Sequence, residues 1–407
     1  MCFCCPPAIQ ALFCLWVRSG FSKETVAGAL TFFPPEPPLY KFTRISKDGE
    51  PLPEGISEEE AEETLDEQLL NEEMNKDNNS SNNRILDSQN NSSAVAGFAP
   101  EPENRQSSSN NEESDHDIKS EKEVNPAKML TARAAKLREK SKIQNAIDLR
   151  DRANGVTYNF IPDPRLQTPP HFDGTIEAVK IGPHSKKDNF VAAVLYRLPH
   201  ERQLTTTRTI IYSHGNATDI GAMNYMQSIL ANGLQANVLM YDYSGYGFSG
   251  GVPEEQNTYD DIKMVYEWVV DNVVEKNESK IFIYGQSIGS GPSCFICNEK
   301  KDAGGLILHS PIMSGMRVLT SSRLLSCLDI FPNIERIKKV KCPVMVIHGI
   351  LDEEVDISHG YNMHEAVPDD LKRDPWWVPD RGHNDITEGR ARLVEYIAKL
   401  RKFLSSV

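Results

Sequence analysis

At 407 residues the chain has room for two average domains, or for one large domain with tails, and its 39% hydrophobic content is low for a chain that folds throughout. Its net charge of −14 is unevenly spread: residues 47–125 hold 22 acidic and 6 basic side chains, a net −16, so the remainder is nearly neutral. The acidic balance therefore describes one segment and says nothing of the rest; no basic, aromatic-rich surface points to nucleic acid, and no run reaches the roughly 18–20 apolar residues that a membrane-spanning helix needs.

The chain opens MCFCCPPAIQALFCLW, with four of its eight cysteines in the first 14 residues. No basic stretch leads this segment, and Pro6-Pro7 precede an apolar run of only ten residues, Ala8–Val17, so it does not read as a secretory signal. The expectation is a cytosolic protein with reduced thiols. Residues 1–45 form this cysteine-rich segment. Residues 46–125 follow, with EEEAEETLDEQ, NNSSNN and SSSNNEESDHD. Such a stretch buries too little apolar surface to offset the entropy of ordering, and a disordered acidic insertion is predicted. Two roles stay open: a solvated linker, or an arm tuned by phosphorylation or bound by a partner.

Residues 126–155 read as a basic helix. Asn125 suits the cap, Pro126 the first position and Asn154-Gly155 the end. Eight basic residues (Lys128, Arg133, Lys136, Arg138, Lys140, Lys142, Arg150, Arg152) face three acidic ones. Leu130, Ala134 and Leu137 share a face, from which Ile143 and Ile147 drift away. An anionic membrane, the acidic arm or plain solvent could each satisfy it.

From Val156 to the C-terminus the pattern changes. VAAVLYRL, RTIIYSHG, NVLMYDYSG, KIFIYGQS, GLILHSP, VMVIHG and WWVPDRGH read as strands. Most are continuous apolar runs, as in strands buried on both faces of a parallel sheet. AMNYMQSILANGL and NTYDDIKMVYEWVVDNVV between them read as helices. The alternation predicts one α/β catalytic domain over 156–407, a mostly parallel central sheet flanked by helices.

IFIYGQSIGSGP places G-x-S-x-G after an apolar strand and before a helix, the context that gives this motif its meaning. Ser287 is the expected nucleophile. Gly285 and Gly289 lack the Cβ that would collide in the sharp turn, and the helix N-terminus favours a developing oxyanion. A serine needs a base oriented by a carboxylate, in the chain order Ser, acid, His on such a sheet. VMVIHGILDEEVD offers Asp352, with Asp356 the alternative acid, and WWVPDRGHND offers His383. His348 lies in a strand and reads as buried structure, while His309, His359 and His364 lie before the acid or too close after it.

The second oxyanion donor should follow an earlier strand. TIIYSHGNATDIG supplies it, with Gly215 allowing a tight turn, and the donors are assigned to the backbone N–H groups of Asn216 and Ile288. A backbone role predicts that substitution at Asn216 is mild. DYSGYGFSGG, Asp242–Gly251, either shapes the rim or is a structural turn; no Gly-Lys-Ser/Thr follows to make it a phosphate loop. Cys294 and Cys297 form a single C-x-x-C pair, too few for a four-ligand zinc site, and read as small helix-face residues. No cofactor and no metal are expected.

Together SHGN, DYSGYG, YGQSIG, LHSPIMSGMRV, FPNIE, HG-x-x-DE-x-x-D-x-SHG and GHNDI resemble the alpha/beta hydrolase domain-containing protein 17 family, from about Thr209 to the C-terminus. MCFCCPP and FFPPEPPLY are similar to that family's N-terminal cysteine cluster and Pro-Pro-Glu-Pro segment. The resemblance implies an alpha/beta hydrolase fold and a membrane-associated serine hydrolase that removes palmitate from cysteines of other proteins. It carries catalysis onto Ser287, Asp352 and His383, and S-palmitoylation onto Cys2, Cys4 and Cys5, with Cys14 a further candidate. The chain departs from the family where Ala8 and Ile9 replace a further cysteine, at the insertion from about Ser46 to Asn154, and at Ser290-Gly291.

The cysteine cluster then has a physical reading. One acyl chain holds a protein to a membrane marginally, whereas two or more hold it stably. The expected location is the cytosolic face of membranes such as the plasma membrane and endosomes. The expected partners are S-palmitoylated peripheral proteins, as substrates. A lipid esterase acting on monoacylglycerol or lysophospholipid would use the same residues, and a non-catalytic binding protein of the same fold is the remaining alternative.

Overall fold

The computed structural model describes residues 31–53, 126–182, 189–204, 207–319 and 329–407. The cysteines Cys2, Cys4, Cys5 and Cys14 and the acidic stretch 54–125 lie outside them, as do the side chains of Leu130 and Ala134.

The chain runs through β1 (Tyr40–Ile45), α1 (Pro126–Asn154), β2 (Thr157–Pro162), β3 (Thr175–Ile181) and β4 (Val191–Arg197). It continues through β5 (Thr209–Ser213), α2 (Asn224–Leu234), β6 (Asn237–Tyr241), α3 (Glu255–Asn272), β7 (Ile281–Gln286) and α4 (Ser290–Glu299). It closes with β8 (Gly305–His309), β9 (Val344–Gly349), α5 (Ser358–Glu365), β10 (Trp376–Val378) and α6 (Arg390–Ser405). The strands make one sheet in the order β1-β2-β3-β4-β6-β5-β7-β8-β9-β10. The block from β6 to β10 is parallel, and β1 to β4 add an antiparallel flank. This is the alpha/beta hydrolase fold that the sequence resemblance implied.

Alternation along each central strand divides the core between the two faces. Ile211, Leu239, Ile283, Leu308 and Val346 point to one face, where α3 and α4 bring Ile262, Val265, Val269, Cys294 and Ile296. Tyr212, Met240, Phe282, Tyr284 and Ile347 point to the other, under Leu230 of α2 and Leu400 and Phe403 of α6. Cys294 and Cys297 are buried in this core, which pushes the Cys294 thiol up to about 12.

The body begins earlier than expected. β1 pairs with β2 from Tyr40↔Pro162 to Ile45↔Thr157, and Ser46–Pro53 turns back on it through Ser46 N–H to Glu50 O and Leu52 N–H to Arg44 O. Residues 46–53, expected within the insertion, are thus hydrogen-bonded onto the end of β1. Nor is α1 a detached helix. Its C-terminal half buries Ala146, Ile147, Asp148 and Asp151. Lys180 of β3 pairs with Asp148 at 2.8 Å, and Arg44 of β1 and Tyr158 of β2 both donate to Asp151. The expected domain edge at Val156 thus falls inside the packed body, because β1 and α1 complete and cover the antiparallel flank.

Chain order reverses about β5. After β5 the chain passes to β6 on one side, then crosses back to β7 on the other. Such a switch opens a crevice at the carboxyl ends of the two strands, and the loops carrying Gly215 and Ser287 leave the sheet there.

Candidate active site

β7 ends at Gln286, and the next residue, Ser287, has φ +52°. A non-glycine residue in the left-handed region is strained, here on the short turn Ser287–Gly289 that leads into α4. The elbow glycines have visible causes. A Cβ on Gly289 would stand 2.1 Å from the Ser213 carbonyl oxygen, and one on Gly285 2.7 Å from the Gly289 carbonyl oxygen.

The turn holds Ser287 Oγ 3.0 Å from His383 Nε2. His383, on the loop after β10, places Nδ1 2.7 Å from Asp352 Oδ2, on the loop after β9. An ionised carboxylate only accepts, so Nδ1 carries the proton and Nε2 is left to accept from the serine hydroxyl. Asp352 and His383 are nearly buried. Burial pushes the Asp352 carboxyl up, but hydrogen bonds from His348, His383 and the Val355 N–H outweigh it and hold it well below the usual carboxylate range. The base is thus oriented and faced by a fixed negative charge. Asp356, the alternative acid, instead accepts from the Ser358 N–H at the start of α5.

His348 is buried, as read, and also belongs to this constellation. Its Nε2 lies 3.0 Å from Asp352 Oδ2 and 2.9 Å from the Val355 carbonyl, so the carboxylate sits between two histidines. The DISHG segment makes room for it: a Cβ on Gly360 would stand 2.5 Å from His348 Nδ1. His359 ties the same segment to the loop after β8, its Nδ1 accepting from the Met313 N–H at 3.1 Å. His309 ends β8 and accepts or donates at 2.7 Å with the Tyr284 hydroxyl. Burial, then the neighbouring His383 and His348, push its imidazole down to about 3, so it stays neutral at physiological pH. Sequence reasoning set His309 and His359 aside by chain order and His348 as buried structure in a strand. The available signal was their place inside LHSPIMSGMRV and HG-x-x-DE-x-x-D-x-SHG.

The other wall follows β5. A Cβ on Gly215 would stand 3.9 Å from Ser287 Cβ, so the segment carrying Asn216 borders the nucleophile. Ile288, the other expected donor, is the second residue of the elbow turn, where N–H groups lack helical partners. The Asn216 side chain is itself engaged, beyond the backbone role expected of this residue. Its Oδ1 accepts from the N–H groups of Phe33 and Ala217 and from the Tyr246 hydroxyl, and its Nδ2 donates to the Thr31 carbonyl at 2.6 Å. DYSGYG proves to be a support for this loop, since the buried Tyr243 hydroxyl donates to the His214 carbonyl at 2.6 Å. Ser290, at a departure from the family pattern, donates to the Ser287 carbonyl and accepts from the Ile312 N–H.

Among the described residues, no group of three or more His, Cys, Asp or Glu is placed to hold a metal, and no helix is long and apolar enough to cross a membrane.

A serine aminopeptidase S33 family model (Hydrolase_4) matches residues 205–333, which include Gly215 and Ser287. Alpha/beta hydrolase domain-containing protein aho-3 of Caenorhabditis elegans is 42% identical over 222 residues, 54% of this chain and 63% of that protein. Alpha/beta hydrolase domain-containing protein 17B of Homo sapiens is 36% identical over 222 residues, 54% of this chain and 73% of that protein. The chain belongs to the alpha/beta hydrolase domain-containing protein 17 family. It spans less than two thirds of the length of aho-3. A Pyrococcus furiosus esterase matches with a TM-score of 0.47 at 18% identity, covering 59% of this chain and 99% of that one, a likeness that carries no argument about activity.

Proposed function

We propose that this member of the 17 family is a serine hydrolase that removes palmitate from S-acylated cysteines of membrane-associated proteins. The observation that carries the catalytic part is the hydrogen-bonded chain Ser287 Oγ, His383 Nε2, His383 Nδ1 and Asp352 Oδ2, with steps of 3.0 and 2.7 Å. In this reading His383 takes the Ser287 proton as Oγ attacks the thioester carbonyl, and Asp352 stabilises the imidazolium. The backbone N–H groups of Asn216 and Ile288 hold the oxyanion. The C–S bond breaks, the cysteine sulfur takes the proton from His383, and the palmitoyl group remains as an ester on Ser287. Water, deprotonated by His383, then releases palmitate.

Support for the thioester comes from leaving-group chemistry and from the N-terminus. A thiol with a pKa of about 8.5 leaves more readily than an amine, which favours thioesters over peptides. Acyl chains on Cys2, Cys4 and Cys5, with Cys14 a further candidate, would hold the enzyme at the cytosolic face of membranes beside substrates anchored the same way.

The test offers the purified protein an S-palmitoylated peptide and, separately, a monoacylglycerol, with Ser287→Ala as control. Ser287-dependent release from the peptide in preference to the glycerol ester is expected. The reverse preference would make the protein a lipid esterase. Loss of fluorophosphonate labelling in Ser287→Ala is also expected, and equal labelling of both proteins would remove Ser287 as the nucleophile.

A further inference from the structure

Residues 31–40, TFFPPEPPLY, run as a strap along the loops that follow β5 and β6. Phe32 is only 2% exposed and meets the rings of Phe331 at 6.0 Å and Tyr246 at 6.4 Å, both edge-on. Phe331 in turn lies against the first turn of α4, where a Cβ on Gly291 would stand 2.3 Å from its ring. Phe32 is thus keyed between the support of the oxyanion loop and the base of the nucleophile helix.

The strap is also bonded along the oxyanion loop. Phe33 N–H donates to Asn216 Oδ1 at 3.0 Å, and the Thr31 carbonyl accepts from Asn216 Nδ2 at 2.6 Å. Leu39 N–H donates to Asp219 Oδ2 at 2.7 Å, and the Tyr40 hydroxyl donates to Asp242 Oδ2 at 2.6 Å. Those two carboxylates hold the loop from beneath, through Asp219 Oδ1 to the Ala222 N–H and Asp242 Oδ1 to the Ile220 N–H. A Cβ on Gly221 would stand 2.3 Å from the Leu39 carbonyl oxygen, so strap and loop touch backbone to backbone.

We propose that this strap is a positioning element for catalysis: seated through Phe32, it clamps the Asn216 side chain and thereby aims the Asn216 backbone N–H at the oxyanion. The proposal rests on the hydrolase reading above and deepens it. It also gives the cysteine-bearing segment a second consequence. The cysteines precede the strap in the chain, so whatever unseats the strap loosens the oxyanion loop. Misplacing a donor by about 1 Å can cost on the order of 100-fold in rate, and deleting one costs about 10²–10³.

The test compares full-length wild type, Phe32→Ala and Phe32→Leu on a small soluble ester, p-nitrophenyl butyrate, which requires neither a membrane nor a palmitoyl preference. kcat, KM and thermal midpoint are measured for each, with Ser287→Ala as the baseline. The expected result is a fall in kcat of about 10- to 100-fold for Phe32→Ala, KM within about threefold, and substantial recovery in Phe32→Leu. Unchanged kcat in a folded Phe32→Ala protein overturns the proposal, as does a loss that appears in KM alone. If Phe32→Ala does not fold, Asn216→Ala carries the same expectation and the same overturning result. Wild type inert to both the ester and a fluorophosphonate probe would overturn the hydrolase reading and the strap together, whereas ester turnover without palmitoyl preference would leave the strap comparison intact.

Discussion

Ser287 occupies a backbone conformation that costs a non-glycine residue on the order of 1–3 kcal/mol, and it is held there by its surroundings. The turn lifts Oγ off the sheet toward His383, and the Ser290 hydroxyl fastens it from below by donating to the Ser287 carbonyl at 2.6 Å. Asp352 is fixed just as firmly: Oδ1 accepts from the N–H groups of Glu354 and Val355, and Oδ2 lies between His383 and His348. This predicts a measurable role for His348. In His348→Phe the carboxylate loses a donor while the volume is filled. A hydrogen bond to a charged group is worth ~1.5–3 kcal/mol, so kcat should fall by about 10- to 100-fold with little change in KM. Steady-state kinetics on any Ser287-dependent substrate would check it, and an unchanged kcat would mean that the backbone donors alone orient Asp352.

The antiparallel flank is joined by charge as much as by apolar contact. Asp148 and Lys180 have side chains only 0% and 4% exposed. Burial raises the Asp148 carboxyl, and Lys180 offsets part of that rise. Replacing Lys180 by Met removes the offset and leaves a buried acid. Breaking such a pair costs about 3–5 kcal/mol, and urea unfolding should show a loss of that order near neutral pH. The sign of the pH dependence follows from the raised folded value. The folded variant keeps a proton that the unfolded chain gives up above the ordinary aspartate pKa of about 3.9, so folding stability falls as pH rises through that window. The deficit relative to wild type should therefore be smaller near pH 4 than at pH 8. A pH-independent deficit would mean that Asp148 stays charged in the variant.

At the scale of the molecule, the reversal of chain order at β5 sets the crevice, and the N-terminal strap is bonded to the loops after β5 and β6 beside it. The proposed anchor lies before the strap. Replacing Cys2, Cys4 and Cys5 by Ser is expected to move the protein from the membrane to the soluble fraction, measured by fractionation of cells expressing each form. A triple variant that stays on the membrane would assign the anchoring to the apolar run Ala8–Val17 or to the basic helix instead.

Much of this was legible before any coordinates. The seven strands from β4 to β10 are short apolar runs buried on both faces, and burial of that kind leaves a local signature. Ser287, Asp352 and His383 could be picked out because each follows a strand, in the order that this sheet requires. β1, β2 and β3 were not legible. They lie on the flank, half-exposed, and mix charged and polar residues with apolar ones, so no continuous run marks them. The start of the body was misplaced for the same reason. Only the tertiary structure decided that Phe33 meets Asn216 across 183 residues, that Lys180 meets Asp148, and that His348 shares the carboxylate with His383. Periodicity reports which face of an element is buried. It does not report which distant loop supplies a hydrogen bond, because that is set by where the chain crosses the sheet.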